Sequence, residues 1–267
     1  MKVLYFLATL TLAVFTSCNE NTKSEETVGE VRVDVDTNQD EFAQNKLFSV
    51  TPISHATMVM KWNDQTIFVD PVGGADAFEN FERPDIILVT DIHGDHLNIE
   101  TLEGITGEDT RIIAPQAVVD ELPKGLKGKT MMINNGQKND IMGFEIEAIP
   151  MYNLPESEDS RHIKGRGNGY VIESDGKRLY ISGDTEDIAE MRQLQNIDIA
   201  FVCMNLPYTM TVESAADAVL DFAPDTVYPY HYRGKDGLSD VKKFEQLIKA
   251  GNADIKVTQL DWYPSRD

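Results

Sequence analysis

Two β-sheets faced by helices on both sides, an α/β architecture, is what the order of elements in this chain predicts. Three observations point to it. From about residue 47 the pattern runs strands, then strand–helix alternation, then strands, then a second alternation. The apolar run Ile86-Ile87-Leu88-Val89, between Pro84 and Gly94, reads as a buried strand. Two later segments, Val212–Phe222 and Ser239–Ala250, have the spacing of amphipathic helices.

In order, Phe48–Ile53, Met58–Trp62 and Thr66–Val69 read as a meander with a turn at Asn63-Asp64. Asp85–Thr90 is the buried strand. Asn98 is placed to cap a short helix reaching Ile105. Arg111–Ala114 is a strand and Pro115–Leu122 a helix. Met131–Asn134 and Phe144–Pro150 read as strands around an Asn134-Asn135-Gly136 turn. Tyr170–Glu173 and Arg178–Ser182 form a hairpin across Ser174–Lys177. Thr185–Leu194 reads as a helix, Thr226–Tyr230 as a strand and Ile255–Leu260 as the last strand.

The N-terminus reads separately. Lys2, the apolar run Val3–Phe15 and Thr16-Ser17 before Cys18 form a charged start, a core too short to span a bilayer and small residues ahead of a cysteine. This resembles a bacterial lipoprotein signal over residues 1–17, with lipid on Cys18 and anchorage in the cell envelope, periplasmic or outer-membrane side. Residues 18–45 are acidic and polar, as in a tether. Val31–Val35 alternates and could add a strand. The remaining chain, 46–267, is one domain. Removing Lys2 takes the formal charge from −21 to −22. That excess disfavours nucleic acid and anionic lipid surfaces as partners. Cys203 lies in an apolar strand and reads as a core residue.

The chemistry concentrates in Thr90-Asp91-Ile92-His93-Gly94-Asp95-His96, at the C-terminal end of the buried strand. Mixed carboxylates and imidazoles suit zinc or a similar first-row ion. The stretch resembles the His-x-His-x-Asp-His signature of the metallo-β-lactamase fold, with Asp91 where the first His stands. Ile53–Thr57, Ile67–Pro71, His162 with Gly169–Glu173, Ile181–Thr185 and Tyr228–Tyr232 follow in the order of the branch that includes L-ascorbate-6-phosphate lactonase and N-acyl-phosphatidylethanolamine phospholipase D.

The resemblance implies a four-layer αββα sandwich. It also implies one metal site of Asp91, His93 and His162, a second of Asp95, His96 and His231, and Asp184 between them. Asp95 and Asp184 are the expected catalytic groups. One or two Zn²⁺ are expected, with Mn²⁺ or Fe²⁺ as alternatives. The implied reaction is hydrolysis of an ester, lactone or amide by metal-bound hydroxide. A lipid or nucleotide phosphodiesterase, or a binding lipoprotein with a degraded first site, are the alternatives. With two divalent ions and a hydroxide, Asp91 turns a centre of one net positive charge neutral, which predicts a weaker preference for anionic substrates. His55 and Tyr208 are expected beside the site. Arg161, Lys164 and Arg166 form a basic patch near His162 that could steer an anionic substrate group; the Gly-rich sequence favours reading it as a solvated loop.

Overall fold

The computed structural model describes residues 48–264. The signal segment, Cys18, the acidic tether and the possible strand at Val31–Val35 lie outside the described residues. Six strands form the first sheet in sequential order: β1 (Phe48–Ser54), β2 (Thr57–Trp62), β3 (Gln65–Val69), β4 (Ile86–Leu88), β5 (Arg111–Ala114) and β6 (Thr130–Met132). The first three pair antiparallel and the rest parallel. The second sheet repeats this plan. Strands β7 (Lys138–Ile141), β8 (Phe144–Met151), β9 (Gly167–Ser174) and β10 (Lys177–Ile181) pair antiparallel. Strands β11 (Ile199–Cys203), β12 (Thr226–Tyr230) and β15 (Lys256–Val257) continue in parallel.

Alternation along the strands explains the layers. Met58, Met60, Trp62, Ile67, Val69, Ile86 and Leu88 face the second sheet and share one core with it. Val59, Phe68, Ile87 and Val89 face the other way, onto Leu102, Ile105 and Val118 of the outer helices α1 (Ile99–Ile105) and α2 (Gln116–Glu121). Being covered on both sides is why Ile86–Val89 carries no polar residue. A short helix, α3 (Lys124–Lys127), follows α2. Across the molecule, α4 (Ala189–Arg192), α5 (Val212–Phe222) and α6 (Val241–Gly251) follow β10, β11 and β12, and α5 and α6 bury Ala215, Val219, Phe222, Phe244 and Ile248. The four-layer arrangement is the one expected.

Several local expectations need correction. Of the helix expected over Thr185–Leu194, residues 185–188 and 193–194 are not helical. Polar groups of the first stretch are taken by tertiary partners: Glu186 N donates to Tyr152 O at 2.9 Å, and the helix is confined to Ala189–Arg192. The Asn134-Asn135-Gly136 segment does turn, but it carries the chain from one sheet to the other. The true hairpin partner of β8 is β7, through Met142-Gly143, both at positive φ. Methionine gives no turn signal, which hid that hairpin. The last strand shrinks to Lys256–Val257. Cys203 is a core residue, with burial pushing its thiol up to about 12.

The sheets are stitched where β4 ends. Asn168 N donates to Thr90 O at 2.9 Å, and the buried Tyr170 hydroxyl donates to Val89 O at 2.7 Å. Tyr170→Phe leaves Val89 O without that donor. The substitution is expected to lower unfolding free energy by about 1–2 kcal/mol, read by chemical denaturation; an unchanged midpoint would show that the stitch adds nothing.

Candidate metal centre

The Asp91–His96 loop, Asp184 and His231 sit just past strand ends, where the strand fixes the base and the loop frees the side chain. Asp91–His96 follows β4. The turn is closed by His96 N and Leu97 N, which donate to His93 O at 2.9 and 2.8 Å. Asn98 then starts α1, its side chain accepting from Thr101 N at 2.8 Å. Asp184 follows β10 after Gly183, whose φ of 61° and proximity to Met151 Sδ leave no room for a Cβ. His231 is the first residue past β12 and His162 lies between β8 and β9.

These loops bring Asp91, His93 and His162 into one group whose ligand atoms lie within 4.8 Å of one another, and His96, Asp184 and His231 into a second. Asp184 lies between them. Its Oδ2 is 3.4 Å from both His96 Nε2 and His162 Nε2, and its Oδ1 is 3.4 Å from His231 Nε2. Asp95 closes the second group, with Oδ2 3.4 Å from His231 Nε2 and Oδ1 3.9 Å from His96 Nε2. His93 Nδ1 is 2.6 Å from Asp91 Oδ2.

Buried polar atoms are normally paired. Here His96 Nε2, His162 Nε2 and Asp184 Oδ1 are buried without a hydrogen bond, and all three face the same small volume. A divalent cation is the partner that suits imidazole lone pairs and carboxylate oxygens held this way. Burial opposes ionisation of Asp184, but His231, His96 and His162 outweigh it and hold its pKa well below the usual carboxylate range. Burial likewise opposes charging His96, and Asp184 and Asp70 outweigh it in the other direction.

Asp70 is a site residue that sequence reasoning passed over, having marked it only as part of a motif. It is fully buried and accepts from Thr90 N at 2.7 Å and Thr90 Oγ1 at 2.6 Å. His96 Nδ1 is 2.8 Å from its Oδ2. A carboxylate on Nδ1 fixes the tautomer that presents Nε2 to the centre. The signal was available: a lone Asp closing an apolar strand, at Val69-Asp70-Pro71.

His55 comes closer than expected. A nitrogen of its ring falls within ligand reach of Asp95 and His231. Its ring packs edge-on to His231 with centroids 5.5 Å apart, and burial followed by His231 lowers its pKa, favouring the neutral imidazole. Tyr208 lines the cavity beside the centre, together with His55, Asp95 and Asp184.

Arg166 overturns the solvated-loop reading of its patch. Its Nε donates to Asp91 Oδ1 at 3.2 Å and its Nη2 to Asp91 Oδ2 at 3.1 Å. Burial would raise the pKa of Asp91, but His93, His96 and Arg166 keep it lowered. The guanidinium offsets the extra charge of Asp91, so the neutral centre inferred from the ligand residues alone omitted one cation. Lys164 is the member of the patch that stays outside, paired with Glu156 and Glu190.

Two adjoining groups of histidine and carboxylate at the edge of an αββα sandwich define a metal-dependent hydrolase centre. Residues 49–231 match the beta-lactamase superfamily domain, and the chain belongs to that superfamily in its metallo-β-lactamase form. It is 30% identical over 214 residues to a UPF0173 metal-dependent hydrolase of Lysinibacillus sphaericus, covering 76% of this chain and 92% of the relative. It is 37% identical to a putative metal-dependent hydrolase of Parabacteroides distasonis, with a TM-score of 0.72, covering 81% of this chain and 94% of that one. At 22% identity and a TM-score of 0.67, Igni18, a metallo hydrolase of Ignicoccus hospitalis, shares the fold over 80% of this chain and 94% of its own.

Arg166→Met leaves the buried Asp91 without its counter-charge. In metal-free protein the loss of stability is expected to be about 3 kcal/mol. Added Zn²⁺ takes over the compensation, so its stabilisation should be larger in the variant than in the wild type. Thermal melts of both proteins, with and without metal, test this; equal metal-induced shifts would refute the pairing.

Proposed function

We propose that this metal-dependent hydrolase cleaves an ester, lactone or amide of a small molecule, with zinc as its ion. The observation that carries the reading is the convergence of unpaired, buried ring nitrogens on the Asp184 carboxylate. Asp91, His93 and His162 would hold one ion, and Asp95, His96 and His231 the other, with Asp184 shared. Ions in such a pair lower the pKa of a coordinated water towards neutrality and polarise a carbonyl.

The chain's own groups supply the rest. Asp184 is held by Asn205, whose Nδ2 donates to its Oδ2 at 3.3 Å. Asp70 orients His96. Asp95 is the carboxylate open to the cavity, its side chain 39% exposed, so it can pass a proton to a leaving oxygen or nitrogen. Lactone hydrolysis is also the chemistry of one member of the branch that the motifs resemble. A binding protein with a degraded first site is the weaker reading, because Asp91 lies with His93 and His162 and is countered by Arg166.

Stripping metal with a chelator is expected to abolish hydrolysis of a lactone and aryl-ester panel, and about two equivalents of Zn²⁺ per chain should restore it. Asp95→Asn is expected to reduce kcat by about 100-fold or more. Activity that survives chelation would sink the reading. We further propose that Cys18 carries a lipid that anchors the hydrolase in the cell envelope, as Thr16-Ser17-Cys18 after an apolar run supports. Labelled fatty acid should enter the wild-type chain and not Cys18→Ala; equal labelling would dismiss the anchor.

A further inference from the structure

The cavity beside the centre has a volume of about 530 Å³. Its acidic lining is Asp95 and Asp184, both facing imidazoles. Arg161, Arg233 and Lys235 line the same cavity. This is a local reversal of sign in a chain with 45 acidic and 24 basic side chains. Among the described residues, none of the three cations has a carboxylate within ion-pair distance, whereas Lys164 and Arg166 nearby are paired.

The two guanidinium groups are held in place by stacking, and Lys235 is fixed through its backbone. Arg161 Cζ lies 4.5 Å above the Tyr208 ring and Arg233 Cζ 4.5 Å above the Tyr263 ring. Stacking of this kind holds a guanidinium while leaving its N–H edge free. The Arg161 carbonyl accepts from Arg166 Nη2 at 2.6 Å, which fastens its loop to the Asp91 pair. Arg233 and Lys235 belong to a small hairpin, β13 (Arg233–Gly234) and β14 (Gly237–Leu238). Lys235 N donates to Leu206 O at 2.8 Å. A Cβ on Gly234 would fall 1.9 Å from Leu206 O, so glycine alone allows this approach.

We propose that Arg161, Arg233 and Lys235 form a recognition site for an anionic group of the substrate, a carboxylate or a phosphate, set apart from the bond that is cleaved. The proposal rests on the hydrolase reading for the reaction, and on the three cations alone for the ligand. Arginine forks match the oxygens of either anion, and the lysine adds a point charge. The substrate is then a small acid or phosphate whose ester, lactone or amide lies over the centre. Held this way, the anion orients the reacting bond.

The test is equilibrium binding by calorimetry to zinc-loaded full-length protein, which needs no turnover. The probes are monomethyl glutarate and glycerol 3-phosphate, each at low and high salt. In Arg161→Gln/Arg233→Gln/Lys235→Gln, with zinc content equal to the wild type, affinity for at least one probe should fall by 10-fold or more. Its salt dependence should flatten as well. Loss for the first probe alone assigns a carboxylate, and loss for the second alone a phosphate. Unchanged affinities, or a wild type that binds neither probe, overturn the proposal. Should the triple variant fail to fold, Arg233→Gln and Lys235→Gln on the exposed hairpin should each weaken binding at least 3-fold, and no weakening in either overturns it. Expected anion binding without hydrolysis of neutral p-nitrophenyl acetate would count against the ester reading and leave the anion site standing.

Discussion

Everything in this molecule depends on two sheets meeting at one edge with their strand ends in register. The candidate groups come from both: Asp91, His93, Asp95 and His96 from the loop after β4, and Asp184 and His231 from loops after β10 and β12. The hydrogen bonds from Asn168 and Tyr170 to Thr90 and Val89 fix that meeting. They fall immediately before Asp91, so the same two residues join the layers and set the height of the metal loop. Thr90 also donates to Asp70, which holds His96. Packing between the sheets and orientation of an imidazole are thus one continuous hydrogen-bonded path.

Asp91 illustrates how a carboxylate can occupy an imidazole's place without changing the net charge of the pocket. A histidine there would be neutral. Asp91 with Arg166 is also neutral as a pair, and its fork geometry keeps both oxygens directed. The pair brings a second demand, because Arg166 must come from the loop that carries His162 and Arg161. A change at position 91 is therefore coupled to the loop that walls the cavity.

The layered fold was legible because it is written in periodicity. Ile86–Val89 has no polar face, and Met58-Val59-Met60 is likewise apolar on both faces, so which strands are covered on both sides follows from the residues. The histidines were legible too, since the chain has only five and each falls in a recognisable segment. Illegible were the features made by tertiary partners. Residues 185–188 read as helical, but Thr185 and Glu186 spend their hydrogen bonds on the Tyr152 backbone. Met142-Gly143 turns without a turn residue at its first position. Arg166 looks like any surface cation until Asp91, 75 positions away, is placed beside it.

His55, Asp70 and His231 share one backbone trait: φ of 50°, 44° and 45°, each at the first residue after a strand. Left-handed backbone is costly for most side chains and least so for Gly, Asn and Asp. At these positions an alanine scan would report two things at once, the missing functional group and the added conformational strain, and would overstate the chemistry. Asparagine, which tolerates this conformation, separates the two. The same trait narrows what drift can place there, so a relative carrying Val or Ile at any of the three would have had to reshape the strand end as well as the centre.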